Sequence, residues 1–206
     1  IEFNFHDFIQ DIVDLFKMRA QQQGITLSYL AFYPLPAVVY ADEKRLRQVL
    51  LNLLSNAVKF THGATGQVTF KVIYDNHRVR FEVEDTGVGI AAEHLNMIFL
   101  PFQQVGNQRQ QTEGTGLGLS ISKKLVSMMG GRLYVASLLG IGSLFWFDIP
   151  LPAIEKAVNI SPRPPASVVG FKCTKGHQDF TILVVDDQWQ GRAFLSNFLS
   201  NLGFRV

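Results

Sequence analysis

The order of predicted elements is that of an α+β domain. Three segments carry apolar residues at helical spacing: 5–22, 43–60 and the stretch from Gly116 to Gly130. Four segments alternate apolar and polar residues as hairpin strands do: 68–72, 79–83, 132–137 and 143–149. A short strand at 25–29 and a short helix at 92–98 are also expected. Because helices and hairpins share one stretch of chain, the sequence predicts an α+β class.

The composition narrows the class of protein. Of 206 residues, 47% are hydrophobic and 17% charged, which excludes general disorder. The formal net charge is +2 with no basic block, so no nucleic-acid partner is expected. Cys173 is the sole cysteine, which excludes an internal disulfide and fits a reducing compartment. The most apolar window, 133–150, is broken by glycines and fits a hairpin better than a membrane span.

We therefore expect a cytoplasmic domain without direct membrane contact, cut from a longer parent protein that can itself be membrane-anchored. The composition shifts after residue 152, where Pro162, Pro164 and Pro165 mark a linker. The expected division is a domain at 1–152, a linker at 153–179 and a second unit at 180–206. That unit opens with a continuous apolar run, 181–185, of the kind found in buried parallel strands.

The helix at 43–60 carries a narrow polar stripe at spacings of three and four residues: Arg45, Gln48, Asn52, Asn56 and Lys59. Taken alone, the stripe is as consistent with a solvated face as with a site. Its centre, however, is two amides on a largely apolar helix. An amide oxygen is a hard neutral donor suited to Mg²⁺, and Lys59 is placed to meet a phosphate as a point charge.

Two glycine-rich segments follow along the chain. Asp85 comes directly after a strand and precedes Gly87 and Gly89, and a carboxylate there can accept a hydrogen bond from the adenine amine and reject the guanine carbonyl. A plain turn is the alternative. Residues 114–119 open a helix, where backbone amides attract anions, but no Walker lysine follows. The polar stretch 103–113 between them is expected to be a mobile lid, with Phe99 and Phe102 as aromatic pins or as ordinary core.

Four motifs occur in order: NLLSNAVKF (52–60), DTGVGI (85–90), FLPF (99–102) and GTGLGL (114–119). They resemble the N box, first glycine box, F box and second glycine box of the histidine-kinase catalytic domain, whose superfamily includes gyrase, mismatch-repair ATPases and the large heat-shock chaperone. The resemblance runs from about residue 3 to residue 151. It implies the Bergerat fold, a two-layer α/β sandwich in which helices cover one face of a mixed sheet and ATP binds between helices and lid.

The same resemblance implies ATP and Mg²⁺ as ligands and assigns roles to single residues. Asn56 becomes the Mg²⁺ ligand, Asn52 supports metal and phosphates, and Lys59 joins them as a catalytic residue. Asp85 reads adenine, and Arg109 in the lid approaches the γ-phosphate. The other implied pocket residues are Gly87, Gly89, Ile90, Phe102, Gly114, Thr115, Gly116, Leu117, Gly118 and Leu119.

The C-terminal sequence VVDDQWQGRAFLSNFLSNLGF resembles the start of a response-regulator receiver domain. Adjacent acidic residues at the end of the first receiver strand bind Mg²⁺, and Asp186 and Asp187 match those positions. The alternative is a pair of acidic residues that cap the next helix. The strand that would carry the phosphoacceptor is not in the chain, so an incomplete receiver-type α/β unit is expected. Together the two resemblances imply a hybrid kinase.

A histidine kinase phosphorylates a histidine on an upstream helical hairpin. Five histidines are present, none in the expected His-Glu/Asp…Arg-x-Pro context: His6, His62, His77, His94 and His177. The acceptor is therefore expected on a dimerisation module outside this chain, in a homodimeric parent, with a receiver or response regulator as the next partner. A gyrase-type ATP hydrolase and a non-catalytic nucleotide-binding adaptor are the alternatives.

Overall fold

The computed structural model describes residues 1–103, 115–154 and 182–185. By contacts between residues the chain divides into two units, Ile1–Ala157 and Val158–Val206. The elements of the first unit are β1 (Glu2–Asn4), α1 (Phe5–Gln22), β2 (Thr26–Phe32), β3 (Val38–Tyr40), α2 (Glu43–Phe60), β4 (Gln67–Asp75), β5 (Arg78–Asp85), α3 (Gly118–Met128), β6 (Arg132–Leu138) and β7 (Gly142–Pro150). Among the described residues, none of the helices combines the length and apolarity needed to cross a bilayer.

The main sheet has five strands in the order β2-β4-β5-β7-β6. The edge strand β2 runs parallel to β4, and every other pair is antiparallel. Two hairpins supply four of the strands, and Asn76 and His77 make the tight turn between β4 and β5 with φ values of 47° and 57°. The predicted α+β class and mixed sheet are therefore confirmed, and β5 lies at the centre of the sheet.

Apolar residues on one sheet face pack under the three helices, because every second residue of β4, β5 and β7 is buried. Phe81 of β5 is the centre of this core, with its ring centroid 6.2 Å from that of Phe70 and 5.1 Å from that of Phe147. Phe5 of α1 meets Phe81 edge-on at 6.3 Å. The opposite face carries ion pairs, including Arg80 with Asp148 at 2.7 Å.

The two long helices begin at side-chain caps. The Asn4 side chain accepts a hydrogen bond from the Asp7 amide at the start of α1, and the Asp42 side chain accepts one from the Arg45 amide at the start of α2. Such caps satisfy amides that have no partner inside the helix. Both helices occupy the ranges that their apolar spacing predicts.

Two features differ from the sequence-based expectation. The stretch predicted as a short helix at 92–98 forms two separate 3₁₀ turns, Ala92–His94 and Met97–Phe99. Ile98 is the one buried residue in these turns, so no apolar face is available to stabilise an α-helix. Strands β1 and β3 form a small antiparallel sheet that the sequence analysis did not predict.

The second unit is described at residues 182–185 alone. The apolar run there was predicted as a buried parallel strand, but these residues are in no strand, and Leu183 and Val185 are 85% and 83% exposed. A parallel strand buries both of its faces only between neighbours. Within the described residues, no strand pairs with this segment.

Candidate functional site

Asp85 is a buried carboxylate at the carboxyl end of β5. Its residue is 8% exposed, and its Oδ1 accepts a hydrogen bond from the Gly87 amide at 2.9 Å. Burial raises the pKa of Asp85 above its usual value, and hydrogen bonds from the backbone of Gly87 and Ser143 act in the opposite direction. The backbone donors thus hold a carboxylate that has no cationic partner among the described residues, with acceptor capacity left for a ligand.

The segment after Asp85 is seated between the end of α2 and the β6–β7 hairpin. The Val88 amide donates to the Phe60 carbonyl at 3.2 Å, and the Gly140 amide donates to the Val88 carbonyl at 2.8 Å. A side chain at Gly87 would collide with the Phe60 carbonyl, and one at Gly89, where φ is +65°, would collide with the Leu138 carbonyl. Glycine is therefore required at both positions by close backbone approach.

Hydroxyl groups support this loop from the neighbouring strands. Asp85, Ser143 and Ser137 stand opposite one another in the registers of β5, β7 and β6. Ser137 Oγ accepts a hydrogen bond from the Ile90 amide at 2.8 Å and lies 3.0 Å from Ser143 Oγ. One end of the sheet thus carries a row of polar side chains on the face that is otherwise apolar.

Asn52 of the α2 stripe contacts α3. Asn52 Nδ2 donates to Ser122 Oγ at 2.9 Å, and Ser122 is 1% exposed. Asn56, one turn further on, is half-buried and its side chain has no hydrogen-bond partner among the described residues. Lys59 Nζ lies 5.2 Å from the ring centroid of Phe60. Asn56 therefore offers an unpaired amide oxygen, which fits a cation ligand.

The start of α3 is built from glycines packed against the neighbouring elements. A side chain at Gly118 would collide with Asn52 Oδ1. Gly116 has a φ of +68°, and its carbonyl accepts a hydrogen bond from the Phe102 amide at 3.0 Å. No side chain caps the helix start, so its first amides have no side-chain acceptor, as is the case at helix starts that bind anions.

The structure brings most of the predicted site residues to one region. The loop that follows Asp85 lies against Phe60, the last residue of α2. Asn52 lies eight residues before Phe60, which is about 12 Å along the helix axis. Four predicted residues fall outside the described residues: Arg109, Gly114, Asp186 and Asp187. Of the two predicted aromatic pins, Phe99 is partly buried against the core, while Phe102 is 74% exposed with a φ of 63°.

The remaining predicted pocket residues flank these anchors in the chain: Ile90, Thr115, Leu117 and Leu119. The serines were not predicted, because each lies 47 or more positions from its partner. For Ser143 and Ser137, a usable signal existed in the alternation of the three strands, which places both on the same face as Asp85 once their register is known. Ser122 lies four residues into α3 and gives no comparable signal.

Comparisons with known proteins identify the family of the chain. Residues 41–153 match the family described as histidine kinase-, DNA gyrase B-, and HSP90-like ATPase. The aerobic respiration control sensor protein ArcB of Escherichia coli is 42% identical over 159 residues, which cover 76% of this chain and 20% of ArcB. The structure of full-length ShkA in complex with AMPPNP superposes with a TM-score of 0.64 at 38% identity, over 75% of this chain and 31% of that one.

A third relative matches further along the chain. The virulence sensor protein BvgS of Bordetella bronchiseptica is 37% identical over 200 residues, covering 94% of this chain and 16% of BvgS. An alignment of that extent continues past residue 154 into the second unit. The chain spans a fifth or less of the length of both curated relatives.

Proposed function

We propose that this chain, which belongs to the histidine kinase-, DNA gyrase B-, and HSP90-like ATPase family, is the catalytic domain of a sensor histidine kinase. It binds ATP and passes the γ-phosphoryl group to a histidine on a separate dimerisation module. The observation that carries the proposal is the arrangement along α2. The buried carboxylate of Asp85 lies beyond its last turn, Asn52 contacts the start of α3, and the Asn56 amide has no hydrogen-bond partner among the described residues. ShkA, a similar protein, binds the nucleotide AMPPNP.

Asp85 is the adenine-reading residue. As a carboxylate it accepts hydrogen bonds but donates none. The exocyclic amine of adenine is a donor that satisfies it, whereas the carbonyl of guanine would leave two acceptors facing each other. Ile90, Gly87 and Gly89 form the loop beside it, and the absence of side chains on the glycines lets the base approach the backbone.

The phosphates and the metal bind along α2 beside Asn52 and Asn56, before the helix reaches Phe60 and the loop that follows Asp85. Asn56 supplies an amide oxygen to Mg²⁺, and the start of α3 with Thr115, Gly116 and Leu117 presents amides to phosphate. Among the described residues no three His, Cys, Asp or Glu side chains cluster as a metal cage. When bound, MgATP would supply the phosphoryl group, and its Mg²⁺ would neutralise part of the phosphate charge. Phe102, Leu119, Arg109 and Gly114 belong to the same pocket in this proposal.

Asn52 distinguishes a kinase from a hydrolase. Hydrolytic members of the superfamily place a Glu at the equivalent position, one turn before the metal-binding Asn, as the base that activates water. Asn52 cannot accept a proton at neutral pH, and its Nδ2 is already committed to Ser122. Neutral imidazole needs no such base, because it carries a nucleophilic lone pair. Phosphotransfer to histidine is therefore favoured over hydrolysis.

The second unit is the start of a receiver domain, with a linker at 153–179 between it and the domain at 1–152. The continuation of the BvgS alignment past residue 154 supports a shared second unit. Asp186 and Asp187 would bind Mg²⁺ in the completed receiver. The parent is then a cytoplasmic or membrane-anchored hybrid kinase that acts as a homodimer, with its own receiver or a response regulator as the next phosphoacceptor.

The test is phosphate accounting with γ-labelled ATP. The purified chain alone should release phosphate far more slowly than roughly 1 s⁻¹, the low end of usual enzyme turnover, and should acquire no acid-labile label. Adding a histidine-bearing helical hairpin from a kinase of the ArcB type should give a labelled hairpin, and the Asn56→Ala variant should not. Turnover at or above that rate without the hairpin would favour the hydrolase. ATP binding without either reaction would favour the adaptor.

A further inference from the structure

Ser137 is a strand residue whose hydroxyl has all of its hydrogen-bonding capacity in use. Ser137 Oγ donates its single proton to the Gly142 carbonyl at 2.8 Å. It accepts from the Ile90 amide at 2.8 Å. Because its proton is committed, the 3.0 Å contact with Ser143 must be a bond that Ser143 donates. The Ser137 hydroxyl therefore bonds to two groups of β7, the Gly142 carbonyl and the Ser143 hydroxyl, and to the Ile90 amide of the loop.

These bonds connect the β6–β7 hairpin to Ile90, the last residue of the loop that begins at Asp85. The loop that begins at Asp85 is held at its start by the Gly87 amide bond to Asp85 itself. Its middle is held at Val88 by the Phe60 carbonyl and by the Gly140 amide. Ile90 ends the loop, and among the described residues its amide is held by Ser137 alone.

Ser143 links the same hydroxyl to the carboxylate. It is 8% exposed, stands directly opposite Asp85, and contributes a backbone hydrogen bond to the Asp85 carboxylate. A side chain at Gly142 would collide with the Asp85 carbonyl, so Gly142, the other partner of Ser137, also lies against Asp85. Every partner of Ser137 thus touches Asp85 or the loop that follows it.

We propose that Ser137 is a positioning residue that fixes the loop from Asp85 to Ile90 and thereby sets the preference of this site for adenine over guanine. The inference rests on the proposed role of Asp85 as the adenine-reading residue. Discrimination between two bases depends on where a buried acceptor stands relative to the base edge, because the penalty arises only when the mismatched group is forced against it. If the loop is released at Ile90, Asp85 and the base can move apart. This movement weakens the hydrogen bond to the adenine amine, and it also reduces the repulsion between Asp85 and the guanine carbonyl.

The experiment uses the full 206-residue chain and compares Ser137→Ala with Ser28→Ala, a matched change at an exposed position of the edge strand β2. ATP and GTP affinities are measured by calorimetry. Ser137→Ala should lower ATP affinity about 3- to 10-fold, the range expected for one hydrogen bond, and should lower GTP affinity less than about 2-fold. Ser28→Ala should leave both unchanged. Equal losses for ATP and GTP would overturn the proposal.

Two further measurements keep the test decisive. Ser137→Thr retains the hydroxyl and should keep the ATP to GTP ratio of the unmodified chain, whereas a loss as large as that of Ser137→Ala would show that the hydroxyl is not the cause. In the unmodified chain, the Ile90 amide should exchange with solvent as slowly as the amides of β5, and rapid exchange would also overturn the proposal. An unmodified chain without ATP preference would contradict the proposed function itself, and so that failure is distinguishable.

Discussion

Asp85 combines burial with a backbone environment that partly compensates for it. Removal of a carboxylate from water favours its neutral form, and the amides of Gly87 and Ser143 favour the charged form. Burial dominates, and so the pKa of Asp85 lies above its usual value. The site therefore keeps a carboxylate at a position where charge is costly, as functional sites commonly do.

Asp85→Asn should weaken ATP binding by roughly tenfold to a hundredfold, because loss of a charge-assisted hydrogen bond costs about 1.5–3 kcal/mol. The new amide can turn a donor toward the adenine amine, while its oxygen still accepts from Gly87. GTP affinity should not fall, since the guanine carbonyl accepts from that donor. Calorimetry with both nucleotides measures this, with Asp75→Asn at the exposed end of β4 as the matched control. Unchanged ATP affinity in Asp85→Asn would refute the adenine role.

The pKa of Asp85 also predicts how the stability of the empty protein depends on pH. A folded-state pKa above the unfolded value means that the folded chain binds this proton more tightly. The stabilisation from this group is therefore complete below the unfolded value of 3.8 and is lost as the pH rises through the folded pKa. Urea unfolding from about pH 4 to pH 7 should show the unmodified chain losing stability relative to Asp85→Asn as pH rises. A difference that stays constant with pH would contradict the burial of an ionised Asp85.

At the scale of elements, α2 and α3 are joined through one amide. Asn52 donates to Ser122, and its oxygen lies against Gly118, the first residue of α3. The contact fixes the spacing of the two helices between which the nucleotide is proposed to bind. It leaves no room for a methyl group at Gly118.

Gly118→Ala should therefore destabilise the protein by about 1 kcal/mol, although the same exchange in a free helix is stabilising. The added methyl displaces Asn52 and breaks its bond to Ser122, so ATP affinity should fall with stability. In an Asn52→Ala background the collision is absent, and Gly118→Ala should no longer destabilise. Denaturant unfolding of the four proteins measures the coupling, and Ser127→Ala on the exposed side of α3 is the control. Additive effects would contradict the contact.

The elements that the sequence predicted well are those that carry their own signal. Helices α1 and α2 have an apolar face and a side-chain cap, and the hairpins have alternation and turn residues. Strands β1 and β3 are three residues long, too short for a periodic pattern, and pair across 34 or more positions. Asp85 and Asn52 were predicted because each lies in a local motif. Their partners Ser143 and Ser122 are 58 and 70 positions away, so Ser143 could be identified only once the strand register was known, and Ser122 only from the packed fold.

At the scale of the whole molecule, the sheet and the helices are held together by an aromatic cluster centred on Phe81. Its ring contacts those of Phe5, Phe70 and Phe147, and all four residues are fully buried. The cluster links α1 to three neighbouring strands. It therefore stabilises the first unit as a whole rather than the site alone.

Phe81→Ala should lower the free energy of unfolding by about 3–5 kcal/mol, since it removes a buried ring and leaves a cavity among rigid neighbours. Phe32→Ala is the matched control, because Phe32 is 45% exposed at the end of β2 and its loss should cost less than about 1 kcal/mol. Chemical denaturation measures both changes in the free energy of unfolding, provided that its dependence on denaturant concentration has the same slope in each variant. Equal losses of unfolding free energy in the two variants would contradict the central role of the cluster in stability.

The central strand has one neighbour close in sequence and one far away. Two residues separate β4 from β5, whereas residues 86–141 separate β5 from β7. Closing the longer segment costs conformational entropy before the β5–β7 hydrogen bonds can form. We therefore expect β5 to pair with β7 more slowly than with β4. Asp85 meets Ser143 only after it. During synthesis, the chain emerging from the ribosome carries β5 and its glycine loop early, yet the pocket for the base cannot exist until β7 has been made.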